Sequence, residues 1–370
     1  MALAVKWPAS PVLRPWRVTG TEMLPSLLVM SKLLFVLLLC EHILVKIDLP
    51  FVPFLPWLDG LRELAGDELR YEYRQAFKGA FLLAGALLWL NVRPRAACIA
   101  LGLAIIFMMV GSRPLFRNHI YVVGCLFLLA GLSRRGRPPF LIYLQFSLIY
   151  LGAGLDKLFL EDWHTGQFID NFLTHARVNP VYLAIVEVLP GMTVAKLVSW
   201  GTVLGELVFG VGFLFQRTRA ATVWLAVLFH FALYALLMGD TFGHFVEDLM
   251  LGFIAVVAWP RGTVAVTPQL GSAPLARRIV ALVDWDRTFV VCEPGETASV
   301  DATARPIALD RSGWGYVLRR SGGFYVLAFA AYQMVYAWTP DPVPFVATSI
   351  VGVTLMLFLA APRPRATRDG

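Results

Sequence analysis

Apolar residues in this chain fall in long unbroken runs rather than in a helical stripe or a strict alternation. Bounded by charge, proline and glycine, ten runs stand at about 26–46, 76–92, 95–112, 119–133, 139–160, 194–215, 219–238, 244–259, 323–338 and 343–361. Most approach the roughly 20 residues that an α-helix needs to cross a bilayer. A soluble helix of that length would carry a polar face, and these do not. The pattern predicts an all-α fold, a polytopic transmembrane helix bundle with about eight core helices in a membrane domain over residues 1–260. It also predicts a small polar cytoplasmic insert over 261–322, then two further membrane helices and a basic tail over 323–370. Within the insert, WDRTFVVCEPGETASVD reads as a small β-hairpin around Pro294 and Gly295. The first run begins only after some twenty residues and is too long for the apolar core of a cleaved signal peptide, so retention in the membrane is expected.

Lysine and arginine resist translocation, so their placement between runs orients the bundle. Lys6, Arg14 and Arg17 precede the first run; Arg93 and Arg95, then Arg134, Arg135 and Arg137, then Arg217 and Arg219 fall in alternate connections on the same side. Arg261, Arg277, Arg278, Arg319, Arg320, Arg363, Arg365 and Arg368 continue the series. Both termini are thereby expected in the cytoplasm. The opposite side holds the acidic stretch with Asp240, Glu247 and Asp248, and all six histidines fall in its loops or in the outer halves of runs.

Composition agrees with this reading. Hydrophobic residues make up 58% of the chain and charged residues only 15%, against about 25% charged in soluble domains, and mean hydropathy is +0.67. Such a composition excludes a disordered chain and a coiled coil, and four cysteines are too few for a disulfide scaffold. The net charge of +7 follows from the inner arginines and is a topology signal, so no nucleic-acid partner is expected; lipids are.

An ionisable side chain deep in a membrane helix costs at least about 2.5–3.5 kcal/mol, and each is a functional candidate for that reason. The candidates are Lys32, Glu41, His42, His119, Asp156, Lys157, Glu206 and His230. Lys32 is expected to snorkel to the inner surface. Glu206 and His230 are too central for that, so they must pair within the bundle or face a wet cavity. Cys40, Cys98 and Cys125 read as packing residues, and Cys292 has no CxxC partner. No metal-ligand spacing, Walker loop or dinucleotide fingerprint stands out, and no metal is expected.

The segment YLGAGLDKLFLEDWHTG, Tyr150 to Gly166, resembles the active-site lysine segment of the vitamin K-dependent γ-carboxylases. RNHIYVVGCLFLLAGL, with Asn118, His119 and Tyr121, GELVFG around Glu206 and LFHFALYALLMG around His230 resemble further helices of the same HTTM, or vitamin K-dependent carboxylase-like, family. The resemblance runs over about residues 25–260. It implies a reduced naphthoquinone of the vitamin K or menaquinone type as cofactor, with O2 and CO2 as co-reactants, and an acceptor substrate that the sequence does not name. In that family a lysine deprotonates the quinol, which makes Lys157 the expected base. By the same carry-over His119 polarises the quinol oxygen, and His230, Glu206, Tyr121 and Trp163 line or support the quinone site. A lysine serves as a base only as the free amine, below its ordinary pKa of about 10.4, so burial is required of Lys157 and proximity of Asp156 would oppose the role.

The carboxylases carry a large β-rich part after the membrane block that helps to bind the protein substrate, and this chain has no room for one. The resemblance therefore implies quinol epoxidation more readily than protein carboxylation. The insert resembles the tail of a thioredoxin-like module fused to some HTTM proteins. Two other classes stay open: a non-catalytic membrane protein that binds lipid or quinone, and a small-solute transporter, for which no inverted repeat is evident.

Overall fold

The structure is a computed structural model that describes residues 18, 20–46, 52, 60, 67–134, 139–189, 192–236, 243–257, 264–269, 271–292 and 307–338. Helices dominate it. In chain order they are α1 (Pro25–Cys40), α2 (Ile43–Lys46), α3 (Asp67–Trp89), α4 (Pro94–Gly111), α5 (Asn118–Leu132), α6 (Phe140–Leu158), α7 (Glu161–Thr165), α8 (Gln167–Asn171) and α9 (Pro180–Val186). There follow α10 (Thr193–Leu214), α11 (Arg219–Leu236), α12 (Gly243–Gly252) and α13 (Ile254–Val257), and then β1 (Val264–Thr267), α14 (Ala273–Val283), β2 (Phe289–Val291), β3 (Ile307–Ala308), α15 (Arg311–Leu318) and α16 (Gly322–Trp338). Nine of the ten apolar runs coincide with helices; the tenth lies outside the described residues. Two described helices, α4 and α10, are long and apolar enough to cross a membrane by length and composition.

The chain divides into two compact units, one of residues 1–139, 247–263 and 284–288, the other of 140–246, 264–283 and 289–370. In the first, α4 packs on α5 along small residues: a Cβ at Gly102 would stand 2.5 Å from the Leu128 backbone nitrogen, so only glycine permits the approach. The turn from α3 to α4 is made by Asn91 and Arg93 in left-handed conformation, with Pro94 opening the helix. Lys32, expected at the inner surface, is instead buried, and its ammonium donates to Asn91 Oδ1 in that turn at 2.8 Å. The amide side chain offers the charge a partner that water would otherwise supply. At the other end of α1 its second residue, Ser26, donates through its backbone N–H to Asp286 Oδ1 at 3.3 Å. Burial pushes the Asp286 carboxyl up to about 7 against the bonds from Ser26.

In the second unit α6 and α10 form the main seam. Leu151 of α6 lies against Gly210, Leu207 of α10 against Gly154, and Ser147 Oγ donates to the Gly210 carbonyl at 2.7 Å. Arg219 turns back to donate to the carbonyls of Phe213 and Leu214 at 2.7 and 3.0 Å, which closes the orphaned C-terminus of α10. The 161–186 stretch is built of short helices over a small core of Trp163, Ile169, Leu173, Tyr182, Ala195 and Val203.

The polar insert differs from the purely helical expectation. β1, α14 and β2 make a parallel β-α-β unit, and β3 adds to the other edge of β1, giving the order β2-β1-β3. The strand forecast at FVV exists as β2, but its described partner is β1; the turn at Pro294 and Gly295 lies outside the described residues. Asp310 caps α15, accepting from the Gly313 N–H at 2.8 Å and the Ser312 hydroxyl at 2.7 Å.

Candidate functional site

Lys157 sits in the last turn of α6 and Glu206 near the middle of α10. The glycine contacts at Gly154 and Gly210 bring the two helices close enough for the side chains to meet. The Lys157 ammonium donates to both carboxylate oxygens of Glu206, at 2.9 and 2.8 Å, and to the Ala153 carbonyl at 3.3 Å. Side-chain exposure is 20% for Lys157 and 11% for Glu206, so the pair is held mostly away from solvent. Asp156, one residue earlier and so about 100° around the helix, is exposed. Trp163, expected at an interface, is buried, and its ring lies 5.3 Å from the Lys157 nitrogen, within cation–π range. Phe168 stacks on the other side of that ring at 4.7 Å.

Deeper in the same unit, the Tyr150 hydroxyl and His230 Nε2 are hydrogen-bonded at 2.6 Å, and both side chains are buried. Phe209 and Phe213 pack on Tyr150 at 5.6 and 5.7 Å. Lys157 lies within electrostatic reach of His230, and Glu206 of Tyr150, so two bonded pairs form one polar string through an aromatic interior. Tyr150 was not among the residues singled out from the sequence. Its signal is spacing: it stands seven residues, two helical turns, before Lys157 and shares its face.

His119 and Tyr121 belong to the other unit. His119 opens α5, and its Nε2 stands 3.6 Å from Glu41 Oε2 at the end of α1. Asp248 of α12 completes this group; one ligand atom from each of the three residues lies within 4.8 Å of the others. Tyr121 is 37% exposed and lies beside Phe116 at 5.8 Å. Asp248 had gone unremarked as a site residue, because it reads as one of several acids in an outer stretch.

Lys157, Trp163, Glu206 and His230 are thus placed together within one unit, and their helices frame what the residues are able to do: hold a cation beside a carboxylate and a flat aromatic wall. No curated protein and no solved structure matches the chain. The family model of the HTTM domain matches residues 138–256, a stretch that contains all four of those residues and neither His119 nor Tyr121. The chain is therefore a membrane protein that carries an HTTM domain of the carboxylase-like family.

Proposed function

We propose that the protein is a multi-pass membrane enzyme, with about eight core helices, two C-terminal ones and both termini in the cytoplasm, that oxidises a reduced naphthoquinone at Lys157. The observation that carries this reading is the double contact of the Lys157 nitrogen with Glu206 inside the HTTM match. An ammonium cannot accept a proton, so the amine becomes a base only when its proton passes to Glu206, which the two short bonds allow in one step. The dyad then presents an amine and a carboxylic acid with no net charge, an arrangement that low-dielectric surroundings favour over separated ions. Lys157 takes the phenolic proton of the quinol and holds the quinolate by charge. The quinolate consumes O2, and its ring takes up one oxygen atom as an epoxide while the other leaves as water. The Trp163 ring, already stacked on Phe168, supplies the flat apolar wall that a quinone head requires.

His119 is not carried forward as the group that polarises the quinol, because it lies outside the family match and beside two carboxylates. A second reading rests on the same contact: an ammonium kept on Lys157 by Glu206 is a fixed donor, suited to binding a quinone oxygen or lipid headgroup without chemistry. One experiment separates the two. Purified protein given reduced menaquinone and O2 should form the epoxide, and Lys157→Ala should abolish it. Retained quinone binding with no epoxide from several quinols overturns the enzyme reading in favour of the binding one.

A further inference from the structure

The geometry points to a divalent metal site formed by Glu41, His119 and Asp248. Two carboxylates and one imidazole, the donor set in question, come from α1, α5 and α12, three helices far apart in sequence that belong to the same compact unit. One ligand atom of each lies within 4.8 Å of the other two. The surroundings are not a solvated acidic surface: Asp248 is fully buried, and the side chains of Glu41 and His119 are only 1% and 17% exposed.

Distance separates a metal shell from a hydrogen-bonded pair. His119 Nε2 and Glu41 Oε2 stand 3.6 Å apart, longer than the 2.7–3.2 Å of an N–H···O bond. Two donors about 2.0–2.1 Å from a tetrahedral ion stand roughly 3.3 Å apart, much nearer the observed separation. The widest spacing of 4.8 Å is about 1 Å more than a shell permits, within the reach of a carboxylate rotation.

Charge points the same way. Glu41 sits at the C-terminal cap of α1, where the helix dipole disfavours an anion and favours a cation. A dication matches two carboxylates and a neutral imidazole. The nitrogen donor argues for a first-row transition ion such as Zn2+, Fe2+ or Co2+ over Mg2+ or Ca2+, which prefer oxygen throughout. Three protein donors leave a coordination position for water or an exchangeable ligand, the pattern of catalytic rather than closed structural sites. The sequence reading places all three residues at the outer ends of their runs, which would bring the ion from outside the membrane.

The test uses the full-length protein in detergent, with any purification tag removed and metals stripped by chelation, titrated with Co2+ alone. The expected result is one equivalent bound, with visible d–d absorption and magnetic coupling to a single imidazole nitrogen; Zn2+ displaces it. Loss of an outer partner to a ligand costs about 10–100-fold in affinity, so Glu41→Gln, Asp248→Asn and His119→Ala should each weaken binding at least about 100-fold. Glu206→Gln, in the other unit, should leave it unchanged. Absence of stoichiometric uptake by the wild-type protein overturns the site, as does binding that survives Glu41→Gln with Asp248→Asn. Uptake without nitrogen coupling also overturns it, a result that does not depend on any variant folding.

Discussion

Each compact unit buries one cluster of ionisable side chains, and the two clusters differ in charge content. Lys157 and Glu206 are one cation and one anion in double contact at 2.8 and 2.9 Å. Glu41, Asp248 and His119 are two acids and one imidazole, wider apart. Apolar surroundings tolerate ions only when they are matched. The first cluster carries its counter-ion in the sequence; the second has the composition of a site whose match arrives as a ligand. The same kind of mutation should therefore have opposite signs in the two units.

The largest effect is expected in the second unit. Lys157→Met leaves the Glu206 carboxylate buried without its cation and should cost about 3–5 kcal/mol, while Lys157→Met with Glu206→Met should recover most of that loss. Thermal unfolding of the full-length protein in detergent, followed by tryptophan fluorescence, measures both. A single variant within about 0.5 kcal/mol of wild type, the range of ordinary surface substitutions, would show that water, not Glu206, balances the ammonium.

In the first unit Asp248→Asn removes one of two like charges within 4.8 Å. In metal-free protein the relief should raise stability by roughly 1–3 kcal/mol. With Co2+ present the order should reverse, because wild type gains binding energy that the variant lacks. A stability loss in both conditions would erase the contrast between the units.

These differences bear on what was legible in the chain. Apolar run length located the helices well, since a membrane helix is specified by solvent and needs no partner to be recognised. Lys157, Glu206 and His230 stood out because a charge in such a run has few innocent explanations. Their pairing did not, since contacts between α6 and α10 depend on where Gly154 and Gly210 let backbones approach. The Glu41, His119 and Asp248 group was hidden for a similar reason: its members come from three helices, and Asp248 lies in a stretch where acids are unremarkable. In the insert, FVV was recognisable as a strand, but β1, its partner in a parallel crossover, lies some twenty residues earlier, beyond the reach of a local turn rule.

Asp310 supplies the reference case outside the membrane, and the smallest effect. Its carboxylate is exposed and needs no ion, because the Gly313 N–H and then the Ser312 hydroxyl hold its pKa below the usual value. A folded-state pKa below the unfolded one means stabilisation that is present above pH of about 4 and lost as pH falls through the lowered value. Asp310→Ala should cost about 1 kcal/mol, the worth of an N-cap, measured as a small fall in unfolding temperature near neutral pH that vanishes in acid. Adding Co2+ should leave that difference untouched. If the ion shifts the Asp310 effect as strongly as the Asp248 effect, the cation acts on the whole molecule and the charge composition of the buried cluster is not what recruits it.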